Sequence, residues 1–272
     1  MISVSTININ GQKVAVKFSG AAQNAILFLH GSCMDADSWA SQLEYKELAE
    51  KYKLIAFDLP GHGKSDRYSS VNSFNYRPLK LAELIRPILE SFNIRRFVLC
   101  GLSLGTNIIA EITKPIEGCN GILLGSVCIV NDKFPLTSIL TPGPNGHVMV
   151  AANPGDEELR NYMFTHAKTK EQAERYTRAY RSTDPAFRLE LGQTLVESGL
   201  TDELANIENW NVPICVVYGR EETLINTNYL KDWEPLWQSK IHYIEGAGHV
   251  INEDQPEDFN KLLLSFAREV FK

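Results

Sequence analysis

The stretch Phe97-Val98-Leu99-Cys100-Gly101-Leu102-Ser103-Leu104-Gly105 is an apolar run that closes in Gly-x-Ser-x-Gly. The amphipathic segment Thr106-Asn107-Ile108-Ile109-Ala110-Glu111-Ile112 follows without a spacer. Together they predict a buried strand, a very tight turn and a helix. Gly101 and Gly105 carry no Cβ, so strand and helix can approach closely around the turn. Ser103 then stands at the C-terminal tip of the strand, over a helix N-terminus, with its hydroxyl placed to attack a substrate. The five-residue pattern alone also fits a glycine-rich connection with an incidental serine, so the rest of the chain has to decide.

Working outward, residues 4–9 and 13–18 alternate in polarity and meet at Asn10-Gly11, a strong hairpin signal. The continuous apolar run 25–29 predicts a buried parallel strand that ends in His30-Gly31-Ser32-Cys33. Asp37-Ser38 can cap a helix over about 39–52. A strand at 54–57 leads into Asp58-Leu59-Pro60-Gly61-His62-Gly63-Lys64-Ser65. Pro78 opens a helix to about 91, with Leu81, Leu84, Ile85, Ile88, Leu89 and Phe92 on one face. Beyond the serine helix, 121–125 reads as the next strand. The rhythm resumes late in the chain with a strand at 214–219, a helix over about 227–238, a strand at 241–244 and a final helix over 256–271. Strands alternating with helices specify an α/β protein with a parallel sheet.

Residues 130–210 interrupt that rhythm. A Pro/Gly-rich piece, Thr141-Pro142-Gly143-Pro144-Asn145-Gly146, precedes charged helical segments at 157–166, 170–180 and 185–198. This length exceeds a plain loop and predicts a helical cap over the sheet edge. The expected division is a core of 1–129 plus 211–272, with the cap at 130–210.

The 272 residues suffice for one large core with an insertion, and 44% hydrophobic with 22% charged residues is ordinary for a globular protein. A net charge of −6 and a pI near 5.6 argue against nucleic acid or anionic membranes as partners. The expected partner is a small-molecule substrate, met by a monomer or a homodimer. Five widely spaced cysteines with no CxxC pair read as reduced thiols, which favours the cytoplasm. The N-terminus alternates in polarity and lacks the apolar core of a signal peptide. Neither an HExxH nor a His/Cys cluster occurs, and GxGxxG and GxxxxGK[ST] are absent from the serine turn, so no metal and no cofactor are expected.

A serine hydroxyl needs a base to take its proton and a carboxylate to orient that base. His249 lies on the small-residue loop Glu245-Gly246-Ala247-Gly248-His249 after a short strand, which lets an imidazole reach over a sheet edge. The acid should follow the strand at 214–219. Glu222 is three residues past Gly219, with Glu221 beside it and Asp132, after the preceding strand, as a further candidate. The tetrahedral oxyanion needs fixed N–H donors. Leu104 N–H, at the start of the helix, is one, and Ser32 N–H, in the loop after His30-Gly31, is the other.

With these residues in place the chain resembles the α/β-hydrolase superfamily, in its branch of small esterases, lactonases and C–C hydrolases. The resemblance rests on His30-Gly31, the Asp58–Ser65 block, Gly101–Gly105, Tyr218-Gly219-Arg220-Glu221-Glu222 and Gly246-Ala247-Gly248-His249, in family order. It implies an eight-stranded, mostly parallel sheet with a helical cap after the sixth strand, and acyl transfer through an acyl-serine formed by Ser103, His249 and Glu222. It also implies that His62 sits in a structural turn. The acid position most often carries Asp in this superfamily and here carries Glu. The expected activity is hydrolysis of a carboxylic ester, and Phe134, Met149, Tyr162, Met163, Phe164, Tyr176 and Tyr180 of the expected cap suggest a small apolar or aromatic substrate, although such side chains equally pack a cap onto a core. A lactone, a thioester or a C–C bond would suit the same triad. The same scaffold also serves as a cofactorless oxygenase or a small-molecule receptor.

Overall fold

The computed structural model describes residues 1–68, 75–141, 143–196 and 199–272. Pro142, and Glu197 and Ser198 at the end of the helix expected over 185–198, lie outside the described residues. The hairpin at Asn10-Gly11 pairs β1 (Ser3–Ile9) with β2 (Gln12–Ser19), antiparallel, and Gly11 N–H donates to Asn8 Oδ1 at 2.9 Å. The apolar runs become β3 (Asn24–Leu29), β4 (Lys53–Phe57), β5 (Arg96–Leu102), β6 (Cys119–Gly125) and β7 (Ile214–Gly219), followed by the short β8 (His242–Ile244). The sheet order is β1-β2-β4-β3-β5-β6-β7-β8, antiparallel from β1 to β4 and parallel from there on. The described residues therefore form the eight-stranded, mostly parallel α/β sheet that the resemblance implies. Burial explains the uninterrupted apolar runs: Ile26, Leu27, Phe28, Val98, Leu99, Leu123 and Val216 have no exposed surface.

Three helices differ from expectation. The segment 39–52 is split into a 3₁₀ turn (Ala36–Trp39), α1 (Ala40–Glu44) and α2 (Lys46–Lys51), because Tyr45 adopts an extended ψ of 110°. Asp35, rather than Asp37 or Ser38, caps the first turn, accepting from Asp37 N–H at 3.0 Å. The segment 78–91 is α3 (Pro78–Ala82) followed by α4 (Ile85–Ser91). Pro87 has no N–H for the Glu83 carbonyl and its ring crowds that carbonyl, so one continuous helix is blocked. No helix forms over 227–236. Asn226 Oδ1 accepts from Asn228 N–H at 3.2 Å in a side-chain turn, Pro235 breaks the rest, and only Trp237–Ser239 makes a 3₁₀ turn.

The serine helix is α5 (Leu104–Ala110). The region after β6 is helical: α6 (Leu136–Ile139), α7 (Asp156–His166), α8 (Lys170–Ser182) and α9 (Pro185–Val196). Arg188 of α9 is 3% exposed and donates to the carbonyls of Ala151, Ala152, Tyr180 and Thr183, tying these helices together. Next, α10 (Glu203–Glu208) lies against α5, with Asn206 Nδ2 donating to the Ala110 carbonyl at 2.8 Å. After β8 come α11 (Ile251–Asp254) and α12 (Pro256–Val270), whose Phe266 packs on β6 beside Gly121. Among the described residues, no helix is long and apolar enough to cross a membrane.

Candidate active site

Ser103 joins β5 to α5 with φ 50° and ψ −118°, a conformation that costs a non-glycine residue on the order of 1–3 kcal/mol. Its N–H is held by the Gly125 carbonyl of β6 at 2.9 Å. The flanking glycines make the turn sterically feasible. A Cβ on Gly101 would lie 2.6 Å from the Gly105 carbonyl oxygen, and one on Gly105 would lie 2.4 Å from that of Leu29. Leu104 is the first residue of α5, so its N–H has no partner within the helix. Ser32, in the loop after β3, borders the same space as Ser103.

The loops after β7 and β8 supply the other two side chains. His249 Nδ1 lies 2.7 Å from Glu222 Oε2, and the Glu222 side chain is entirely buried. The second Glu222 oxygen accepts from Leu224 N–H at 2.8 Å. Burial pushes the Glu222 carboxyl up, but the adjacent His249 and the hydrogen bonds from His249 and Leu224 outweigh it and hold the group below its usual range. Glu221 points elsewhere and pairs with Lys168. Asp132 is exposed. The proton on His249 Nδ1 faces Glu222, which leaves Nε2 as the accepting nitrogen.

Ser103 and His249 line one apolar cavity together with Met34, Met149, Tyr162 and Tyr176. Ser103, Ser32 and Met149 also border a second, smaller lobe walled by Leu104, Leu191 and Leu195. The serine therefore stands where two apolar spaces meet. Cys128 borders the smaller lobe; its thiol donates to Asn107 Oδ1 at 3.0 Å, and burial pushes it up to about 12 and so keeps it protonated. All five cysteines are unpaired.

His62 does not line the cavity. It is buried under Phe187, and burial first, then His30, pushes it well below the usual imidazole range. Asp58 organises the turn before it, accepting from Ala36 N–H at 2.8 Å and Lys64 N–H at 2.7 Å. Among the described residues, no three His, Cys, Asp or Glu side chains are grouped to hold a metal ion.

Three residues at the site escaped the sequence reading. Ser126 follows β6 with φ 45° and donates from Oγ to the His249 carbonyl at 2.6 Å. Cys128 lies two residues further on, and His166 ends α7. Ser126 follows a strand tip next to the serine strand, the same logic that singled out Asp132, and could have been found that way. Cys128 and His166 had no such signal.

An acute serine turn and a carboxylate-held imidazole above the carboxyl edge of a parallel sheet are the arrangement of a hydrolase. The sequence matches the α/β hydrolase family over residues 26–262, and the chain belongs to that family. It is 23% identical over 259 residues to the uncharacterized hydrolase YugF of Bacillus subtilis, covering 92% of each chain. It is 20% identical over 285 residues to 3-oxoadipate enol-lactonase 1 of Acinetobacter baylyi, covering 98% of each. Among solved structures, the N-acyl homoserine lactonase AidH, captured with N-hexanoyl homoserine lactone, superposes with a TM-score of 0.89 at 22% identity, covering 98% of both chains. These relatives support hydrolase activity.

Proposed function

We propose that the protein is a serine hydrolase that cleaves carboxylic esters of small, largely apolar substrates through an acyl-serine intermediate. Ser103 Oγ attacks the acyl carbonyl while His249 Nε2 takes the hydroxyl proton. Glu222 holds the Nδ1–H in place and stabilises the imidazolium as it forms. The carbonyl oxygen becomes an alkoxide and is received by the N–H groups of Leu104 and Ser32. When the tetrahedral species collapses, the bond to the leaving oxygen breaks and His249 returns its proton to that oxygen. Water then adds to the acyl-serine with the same base, releasing the acid and restoring Ser103.

The observation that supports this reading most directly is the 2.7 Å contact of His249 with a fully buried glutamate, beside a cavity that the imidazole shares with Ser103. The test is hydrolysis of p-nitrophenyl butyrate together with labelling by a fluorophosphonate, each measured beside Ser103→Ala. Turnover and labelling that both disappear in the variant support the reading; absence of labelling in the wild type would overturn it.

A second reading keeps every step but joins the leaving oxygen to the acyl group in a lactone. Two relatives, the enol-lactonase and the homoserine lactonase, favour it. A comparison of δ-valerolactone with ethyl butyrate separates the two readings.

A further inference from the structure

His166, the last residue of α7, faces the base from the cap side, with its ring centroid 6.3 Å from that of His249. Its Nδ1 lies 2.6 Å from the Tyr162 carbonyl oxygen. Two acceptors at that separation would repel, so the proton sits on Nδ1 and is donated to the carbonyl. The Thr165 hydroxyl donates to the same carbonyl at 2.6 Å, so its proton is committed there and not to the imidazole. Nε2 is therefore the accepting nitrogen, and it is buried with no partner among the described residues. A buried acceptor without a donor costs about 1–3 kcal/mol.

Two tyrosine hydroxyls of the cavity are already engaged. Tyr176 Oη donates to Glu253 at 2.8 Å, and Tyr180 Oη donates to the Val148 carbonyl at 2.6 Å. His166 lines the cavity beside Ser103 and His249, so whatever fills that cavity is the source of the missing donor.

The two lobes indicate which half of the substrate carries it. The leaving oxygen must take a proton from His249, which borders the larger lobe and not the smaller. The leaving group therefore belongs in the larger lobe, with His166, and the acyl chain in the leucine-walled lobe. We infer that His166 Nε2 accepts a hydrogen bond from an O–H or N–H group carried by the leaving alcohol. The favoured substrates are then monoesters of diols, or esters of hydroxy amides, ahead of esters of simple alcohols. This assignment of substrate class rests on the ester reading above.

The test compares 2-hydroxyethyl hexanoate and 2-acetamidoethyl hexanoate, which carry O–H and N–H donors, with 2-methoxyethyl hexanoate, which carries none. In the wild type, kcat/KM for at least one donor ester should exceed that for the methoxy ester about tenfold, mostly through KM. Which donor ester is preferred identifies the donor as hydroxyl or amide. His166→Phe should bring the ratio to within about twofold, and His166→Gln, which presents a carbonyl acceptor, should restore part of it. A wild-type ratio near one, or a ratio unchanged in a folded His166→Phe, overturns the assignment.

Binding is read independently of turnover in Ser103→Ala with isotope-labelled histidine. The Nε2 resonance of His166 should move when 2-hydroxyethyl or 2-acetamidoethyl hexanoate is added and stay in place with the methoxy ester. An identical response to all three overturns the assignment whether or not the protein cleaves esters. Loss of turnover alone would instead count against the ester reading.

Discussion

The imidazole of His249 is held by Glu222 at 2.7 Å, and the carboxylate that holds it is shut off from solvent. Glu222→Gln keeps the shape but removes the charge that stabilises an imidazolium, and its amide can present a donor to Nδ1–H. We expect kcat to fall about a thousandfold or more with KM nearly unchanged. Glu221→Gln should leave kcat within about twofold, since that side chain is more than half exposed and faces Lys168. Steady-state kinetics on both variants with p-nitrophenyl butyrate check this pair. Near-normal turnover by Glu222→Gln would move the orienting role elsewhere.

Arg175 of α8 grips Glu253 of α11, one Nη1···Oε1 contact measuring 2.8 Å, and Tyr176 Oη adds a third bond at 2.8 Å. This clasp fastens α8 to α11 four residues from His249. Burial pushes the Glu253 carboxyl above its usual range even with Arg175 beside it. Arg175→Ala leaves a buried carboxylate with one hydroxyl donor, and breaking such a pair costs about 3 kcal/mol. The melting temperature at pH 7 should therefore drop by several degrees. The drop should shrink toward pH 5, where the carboxyl of the variant can take up a proton. A variant that melts with the wild type at pH 7 would show that the clasp contributes nothing.

The sequence exposed the features that have a local cause. Long apolar runs became central strands because both of their faces are covered, and the Gly101–Gly105 spacing marked the serine turn because only glycine fits there. Glu222 and His249, which meet at 2.7 Å, could be singled out because each follows a strand end by a short loop. The stretch 227–238 misled because its apolar spacing resembles a helix, while the Asn226 side-chain turn and Pro235 override it. His166 and Cys128 were invisible for a different reason. Neither carries a motif, and their place at the site depends on how α7 and the loop after β6 pack near Ser103, which sequence spacing does not encode.

The serine turn itself can be tested through its glycines. Gly105→Ala would put a Cβ 2.4 Å from the Leu29 carbonyl oxygen, and Gly101→Ala would put one 2.6 Å from the Gly105 oxygen. Both clashes are with backbone that cannot swing aside, so each substitution should destabilise the fold by about 3 kcal/mol or more. Gly143→Ala meets nothing within 4 Å and should be neutral. Urea unfolding of the three variants makes the comparison. Equal midpoints for all three would mean that the strand and helix are not as close as described.

Stability should also respond to pH through His166. Burial first, and then the charge of His249, pushes this imidazole from an ordinary 6.5 down to about 4, with Glu222 opposing the shift. Above pH 6.5 neither the folded nor the unfolded chain protonates it, and it has no effect on stability. As pH falls from 6.5 toward 4, the unfolded chain takes up a proton that the folded chain refuses, so stability is lost over that window. The loss amounts to about 2 kcal/mol at pH 5 and on the order of 3 kcal/mol once pH reaches the folded value. His166→Phe removes this one titration while leaving the other buried groups, such as Glu203 and Glu253, in place in both proteins. The wild type should therefore lose about 2 kcal/mol more than His166→Phe between pH 7 and pH 5, read from urea midpoints. Parallel pH profiles for the two proteins would show that the His166 ring is not held neutral in the folded state.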